Sequence, residues 1–430
     1  MGGTCVNVGC VPSKTMIRAA EKMHGANRNP FAGLSSSASV IDYAATVAQK
    51  DALVSALRQA KYADVLNSYP SVSYVQGTAR FVGGGELTID GNPVKAPKIV
   101  VATGARPWEP PIPGLAETPH WNSTDALAAT KLPAHLIVIG GGAVGIEIAQ
   151  MFLRMGSKVT LLEALAGVVS NEDIDVQAGL AATLREEGMC VELGVRIGHV
   201  GGRQGAYEIA VETPNRRETF RSDALLVATG RRATTASLGL ADAGVGTNER
   251  GAIVVDEFQK TSNPNVYAAG DVTGDPMFVY VSAHTGSVAA ENALLGDRVR
   301  RDMLGMPRVT FTDPAVASVG MTEAEARKTD SEILVSRLAL EHVPRAIAAR
   351  DTRGFIKLIV DAKTRLLLGA HVLAPEAGEM IQEPVLAIRH RITVDDIMRA
   401  MHPYLTHAEG IKLAAQALGK DVSKLSCCAA

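Results

Sequence analysis

Apolar residues recur at helical spacing over 44–66, at Val47, Leu53, Val54, Leu57 and Val65. With the stretch from residue 16, this predicts helix over most of 16–66, interrupted by a polar loop at 27–39. Alternation of apolar and polar positions predicts short strands at 72–75, 79–82 and 87–90, with glycine-rich turns between them. Apolar runs of strand length follow at 99–102, 136–139, 158–162 and 224–227. From about residue 308 the pattern changes. Strands are predicted at 309–319, 354–360 and 366–372, then helices at 378–390, 394–401 and 409–418. This last stretch reads as an α+β unit without a glycine loop of its own. Pro107, Pro110, Pro111 and Pro113 mark an extended crossing suited to a domain boundary.

The run 136–139 leads into Gly140-Gly141-Gly142-Ala143-Val144-Gly145, which fits G-x-G-x-x-G, then into a predicted helix at 146–155 and a strand ending at Glu163. That order is the context the motif needs. Gly140, Gly142 and Gly145 allow a tight turn and bring a pyrophosphate to the helix N-terminus. Glu163 stands where an acidic residue accepts hydrogen bonds from the adenosine ribose. Its charge repels a 2′-phosphate, and no basic residue follows in Ala164-Leu165-Ala166-Gly167, so NADH is favoured over NADPH. A strand ending in Ala-Thr-Gly occurs at 102–104 and again at 228–230. Thr103, Gly104 and Gly230 are therefore expected beside a cofactor, on two nucleotide-binding domains of related build.

Composition narrows the class. A chain of 430 residues with 47% hydrophobic content supports two or three domains, and a formal net charge of −2 gives no general pull toward nucleic acid or anionic membrane. Aromatics at 4% argue against stacking platforms for single-stranded nucleic acid. Five cysteines do not make a disulfide framework in a chain this long; they fit thiol chemistry in a reducing cytoplasm.

The candidate chemistry lies at the start, in Gly2-Gly3-Thr4-Cys5-Val6-Asn7-Val8-Gly9-Cys10-Val11-Pro12-Ser13-Lys14. Gly9 allows a tight bend, and Pro12 suits the first turn of a helix that places Cys10 at its N-terminus near Lys14. Both features favour a thiolate. Two such thiols can close and reopen a disulfide; half of a metal site and an inert pair are the alternatives. At the other end, adjacent Cys427 and Cys428 are good ligands for a soft, thiophilic metal ion, or else incidental tail residues.

The string around Cys5 and Cys10 resembles the redox-active disulfide of the flavoprotein disulfide reductases. Asn265-Val266-Tyr267-Ala268-Ala269-Gly270-Asp271 resembles that family's second FAD fingerprint, in which the aspartate holds the ribityl chain. Four further stretches look like the family members that reduce mercuric ion. They are Val343-Pro344-Arg345-Ala346, the run from Asp351 to Leu358, and Pro403-Tyr404-Leu405-Thr406 with the Ser426-Cys427-Cys428 ending.

The resemblance implies an α/β architecture. Two Rossmann-like domains would bind FAD (1–115 and 236–305) and NAD(P) (116–235), and an α+β dimerisation domain would span 306–430. It implies FAD, NADPH or NADH, and Hg(II) as substrate, taken up by Cys427 and Cys428 of a partner subunit and passed to Cys5 and Cys10. Tyr62 and Tyr404 match tyrosines lining the metal site, and Lys14 and Glu147 a charge pair near the flavin's reactive nitrogen. Thr4, Lys14, Ala79, Asp271 and Val279 match flavin contacts.

In that family the ADP half of FAD rests on a strand–glycine loop–helix–strand unit before the cysteines. Here the sequence opens at the cysteines, so an N-terminally truncated chain is expected. The competing readings are a dihydrolipoamide-type disulfide oxidoreductase and an inactive nucleotide-binding dimer. His402-Pro403 has the form of the family's acid–base pair. The glutamate that should follow it is replaced by His407, which leaves both histidine roles open.

Overall fold

The computed structural model describes residues 1–83, 86–213 and 216–420. They fall into two compact units. The first gathers 1–12, 51–109 and 229–302; the second gathers 13–50, the described part of 110–228, and the described residues from 303 on.

In the first unit a short helix, Gly3–Val8, ends at Gly9, where the next helix begins. Three antiparallel strands follow in order, Ala79–Val82, Glu86–Ile89 and Asn92–Val94. The strand Ile99–Val101 pairs in parallel with Val266–Ala268, and Ala105–Pro107 pairs antiparallel with Arg231–Ala233. The core collects Phe81, Val101, Leu240, Ile253, Val266 and Val272. The strand expected at 72–75 does not form; Val72, Tyr74 and Val75 are each more than half exposed. Alternation alone does not make a strand without a neighbour to share its ladder, and among the described residues none pairs there.

In the second unit the predicted strand–loop–helix–strand is present as His135–Ile139, a glycine turn, Ala143–Arg154 and Lys158–Glu163. The parallel sheet runs Ala224–Val227, His135–Ile139, Lys158–Glu163, Cys190–Leu193. The apolar run 136–139 is buried throughout, as a parallel strand covered on both faces requires. Phe152 packs behind the sheet, its ring 6.1 Å from that of Trp121.

The C-terminal part builds a five-stranded antiparallel sheet with its own core around Val319, Leu338, Ile356, Leu358 and Val372. The single strand expected at 309–319 is two, Arg308–Thr310 and Ala315–Gly320, because Thr312-Asp313-Pro314 turns the chain back on itself. The helix expected at 378–390 is likewise two, Ala377–Met380 and Gln382–Arg389.

Candidate active site

The thiol segment is shaped by Gly9. A Cβ there would stand 2.9 Å from the Thr4 carbonyl oxygen and 3.3 Å from Cys5 Cα, so only glycine lets the chain fold back onto the first helix. Cys10 is the first residue of the helix Cys10–Asn27, where the helix macrodipole is positive. Cys5 and Cys10 stand as half-buried thiols. Thr4 is exposed beside Cys5. Tyr62, in a π turn at Gln59–Ala63, lies with its ring 3.6 Å from where a Cβ on Gly2 would be. The bend therefore carries two thiols, and Tyr62 packs at the start of the short helix before it.

Lys14, one turn along the helix, donates to Glu147 Oε2 at 2.6 Å. Glu147 is buried on Ala143–Arg154, and its Oε1 accepts from the Phe311 backbone N–H at 2.8 Å. The Lys14 ammonium lies 4.5 Å from the centre of the Phe311 ring. Sequence reasoning singled out Lys14 and Glu147 but not Phe311, which sits 164 positions from Glu147 and belongs to no motif.

The glycine turn of the second unit is built for close approach. Gly140 has φ +111°, and a Cβ on Gly145 would meet the Gly140 carbonyl oxygen at 2.1 Å. Gly142 caps the helix, with open space where its Cβ would lie. The helix N-terminus thus offers its backbone N–H groups to an anion. Glu163 Oε2 accepts from Gly141 N at 2.5 Å and its Oε1 from Leu165 N at 2.7 Å. The carboxylate thus ties down the turn through both of its oxygens.

In the first unit Thr103 donates to the Thr234 carbonyl at 2.8 Å, and Gly104 turns the chain at φ +68° with open space above it. Gly230, φ +114°, accepts from Trp108 N through its carbonyl. Asp271 lies in a 3-10 turn, Gly270–Thr273, and accepts from Ser282 Oγ at 3.3 Å. Burial raises its carboxyl above the ordinary value, an effect that Arg231 and Ser282 only partly offset. Arg231 Nε is buried without a hydrogen bond among the described residues, 3.9 Å from Asp271 Oδ2. An orphaned guanidinium nitrogen facing a half-satisfied carboxylate fits a hydroxyl-rich ligand such as the ribityl chain of FAD. Val279 opens the helix Val279–Leu295 and is 48% exposed, and Ala79 opens an exposed strand end.

Near the C-terminus Tyr404 is half exposed. The carboxylate that sequence reasoning looked for after His402 comes instead from Glu383, whose Oε1 lies 2.8 Å from His402 Nε2; Nδ1 faces the Ala400 carbonyl at 3.1 Å. Burial lowers the pKa of His407 and leaves its Nδ1 without a hydrogen bond among the described residues. Cys427 and Cys428 lie outside the described residues.

The family model described as "Pyridine nucleotide-disulphide oxidoreductase" matches residues 1–286, and that family's dimerisation domain matches 306–415. The chain is 46% identical to a mercuric reductase of Streptomyces lividans, over its own full length and 91% of the relative. It is 43% identical to one of Bacillus cereus, over its full length and 68% of the relative. The flavoprotein disulfide reductase RclA from Escherichia coli, solved as a Cu(II) complex, superposes with a TM-score of 0.84 at 33% identity. That match covers 95% of this chain and 90% of RclA.

Proposed function

The chain belongs to the pyridine nucleotide-disulphide oxidoreductases and is an oxidoreductase; from that premise we propose that it reduces Hg(II) to Hg(0) with NAD(P)H. The observation that carries the reading is the pair Cys5 and Cys10, half-buried on either side of the Gly9 bend with the second thiol opening a helix. Full-length similarity to mercuric reductases supports the choice of metal.

FAD, when bound, would supply the two-electron transfer between NAD(P)H and the metal ion. Everything else falls to the chain. Gly140, Gly142 and Gly145 seat the nicotinamide cofactor's pyrophosphate, and Glu163 selects its ribose. Gly104, Asp271 and Arg231 hold the flavin's ribityl side, with Thr4, Ala79, Thr103, Val279 and Gly230 lining it. Lys14, paired with Glu147, sets a fixed positive charge at the flavin. Cys5 and Cys10, as thiolates, coordinate Hg(II) linearly, a geometry suited to a soft ion and two sulfurs. Cys427 and Cys428 of the partner subunit capture the ion and hand it over by ligand exchange, with Tyr62 and the partner's Tyr404 beside it. The balance is one NAD(P)H and one Hg(II) giving NAD(P)⁺, a proton and Hg(0). The working form is a cytoplasmic homodimer, with domain limits at 115, 235 and 305.

The His402–Glu383 pair favours a second reading, thiol–disulfide exchange with a small dithiol, since a carboxylate orients a histidine for proton transfer. One experiment separates the two. The purified chain is loaded with FAD, checked for a visible flavin band that bleaches with NADH, and assayed with Hg(II) and with a dithiol. Replacing Cys427 and Cys428 by alanine should abolish Hg(II) turnover. Dithiol turnover that is fast in the parent and untouched in the variant, with no Hg(II) activity in either, overturns the metal assignment.

A further inference from the structure

One face of the helix Ala143–Arg154 is spent on a single loop. Glu147 accepts from Phe311 N at 2.8 Å. Gln150 exchanges two hydrogen bonds with the Asp313 backbone, each 2.9 Å. Arg154 reaches the Asp313 carboxylate at 2.7 Å and its carbonyl at 2.9 Å. These residues stand three and four positions apart, so they share one stripe of the helix. Gln150 and Arg154 are buried, and Arg154 is further fixed by Glu187 at 2.5 Å. The 311–313 loop is therefore held by a rigid element at successive turns.

What the loop presents is the Phe311 ring, 39% exposed and 4.5 Å from the Lys14 ammonium. An aromatic face attracts a cation at this distance. Glu147 is pinned at both oxygens, one by Lys14 and one by Phe311 N. A lysine on a flexible four-carbon stem is thus confined between a carboxylate that cannot swing away and a ring that cannot leave. Of its three N–H groups, one goes to Glu147 and one side of the ammonium faces the ring.

We infer that Phe311 is a positioning residue for the reaction, acting through Lys14. This rests on the proposed role of Lys14 beside the flavin, but the contact itself does not. Phe311→Leu keeps the apolar bulk and the backbone N–H to Glu147 and removes only the aromatic face; Phe311→Tyr keeps the face.

The first test needs no cofactor. Trace acetylation of the full chain, read by mass spectrometry at Lys14 with Lys22 and Lys61 as internal references, should be about three- to tenfold faster in F311L than in the parent, and parental in F311Y. Equal labelling in all three overturns the inference. The second uses the FAD-loaded enzyme and the rate of flavin bleaching by NADH. F311L should slow it by about three- to tenfold, F311Y should restore it, and F311L added to Lys14→Met should change nothing further. An independent slowing in the K14M background assigns Phe311 to packing and overturns the inference. A parent that takes up no FAD sinks the proposed function and the reaction role of Phe311 with it, while the labelling result still decides whether Phe311 holds Lys14.

Discussion

Two ionic groupings in this chain, one closed around a buried lysine and one half-buried, are built to opposite rules. In the second unit Lys357, 1% exposed, is met by Asp173 at 2.8 Å and by Asp175 and Glu323, each at 2.7 Å. Its pKa rises despite burial because the hydrogen bonds to those carboxylates win. In the first unit Arg231 and Asp271 stand 3.9 Å apart with Arg231 Nε unpartnered, and burial moves both groups toward neutrality. The closed cluster fastens structure. The open one stores an unmade interaction, which is what a ligand with hydroxyls can complete.

The largest effect expected from breaking this contrast is at Lys357. Lys357→Met strands Asp173, which is buried and caps the helix Ile174–Glu186, and should cost about 3–5 kcal/mol in calorimetry of the full chain. Asp271→Asn should do the reverse to stability. It relieves a carboxylate that burial disfavours, so the flavin-free chain should melt no lower than the parent. Its FAD affinity should fall roughly 10- to 100-fold, read by fluorescence titration, as a hydrogen bond to a charged group is lost.

The two groupings also differ in sign with pH. Glu323 is held below its ordinary value by the Lys357 hydrogen bond, and so is Asp173 although burial opposes it. Their contribution is complete above the unfolded carboxylate range of about 4 and is lost as pH falls through the lower folded values. Asp271, raised in the fold, penalises stability as pH climbs past about 4, a penalty absent when it is protonated. Melting followed from pH 7 to 3 should therefore steepen its decline below about pH 4 in the parent and steepen less in K357M. The smallest effect is at the half-exposed Arg365–Asp395 pair, 3.0 Å apart, where Arg365→Ala should change stability by about 0–1 kcal/mol.

What was legible in the sequence was what is local. The turn 140–145 and its flanking strands announce themselves because each residue's role is fixed by its neighbours, as Gly145 against Gly140 shows. Cys10 at a helix start is likewise a matter of a few adjacent residues. Misread were stretches whose state depends on distant partners. The residues 72–75 alternate like a strand yet pair with nothing described, and 309–319 holds enough valine to hide a reversal at Asp313-Pro314. Phe311 and Glu383 escaped for the same reason. A ring beneath a lysine, or a carboxylate brought to His402 from a neighbouring helix, leaves no mark at a fixed spacing.

Glu163 constrains how a lineage of such proteins can change its diet of reducing equivalents. Trading it for a small neutral residue without an acceptor would remove the repulsion toward a 2′-phosphate and, in the same step, release the amides of Gly141 and Leu165. A gain in tolerance of a 2′-phosphate by that route would come with a loosened turn. A second substitution that takes over the tie to the turn would uncouple the two effects.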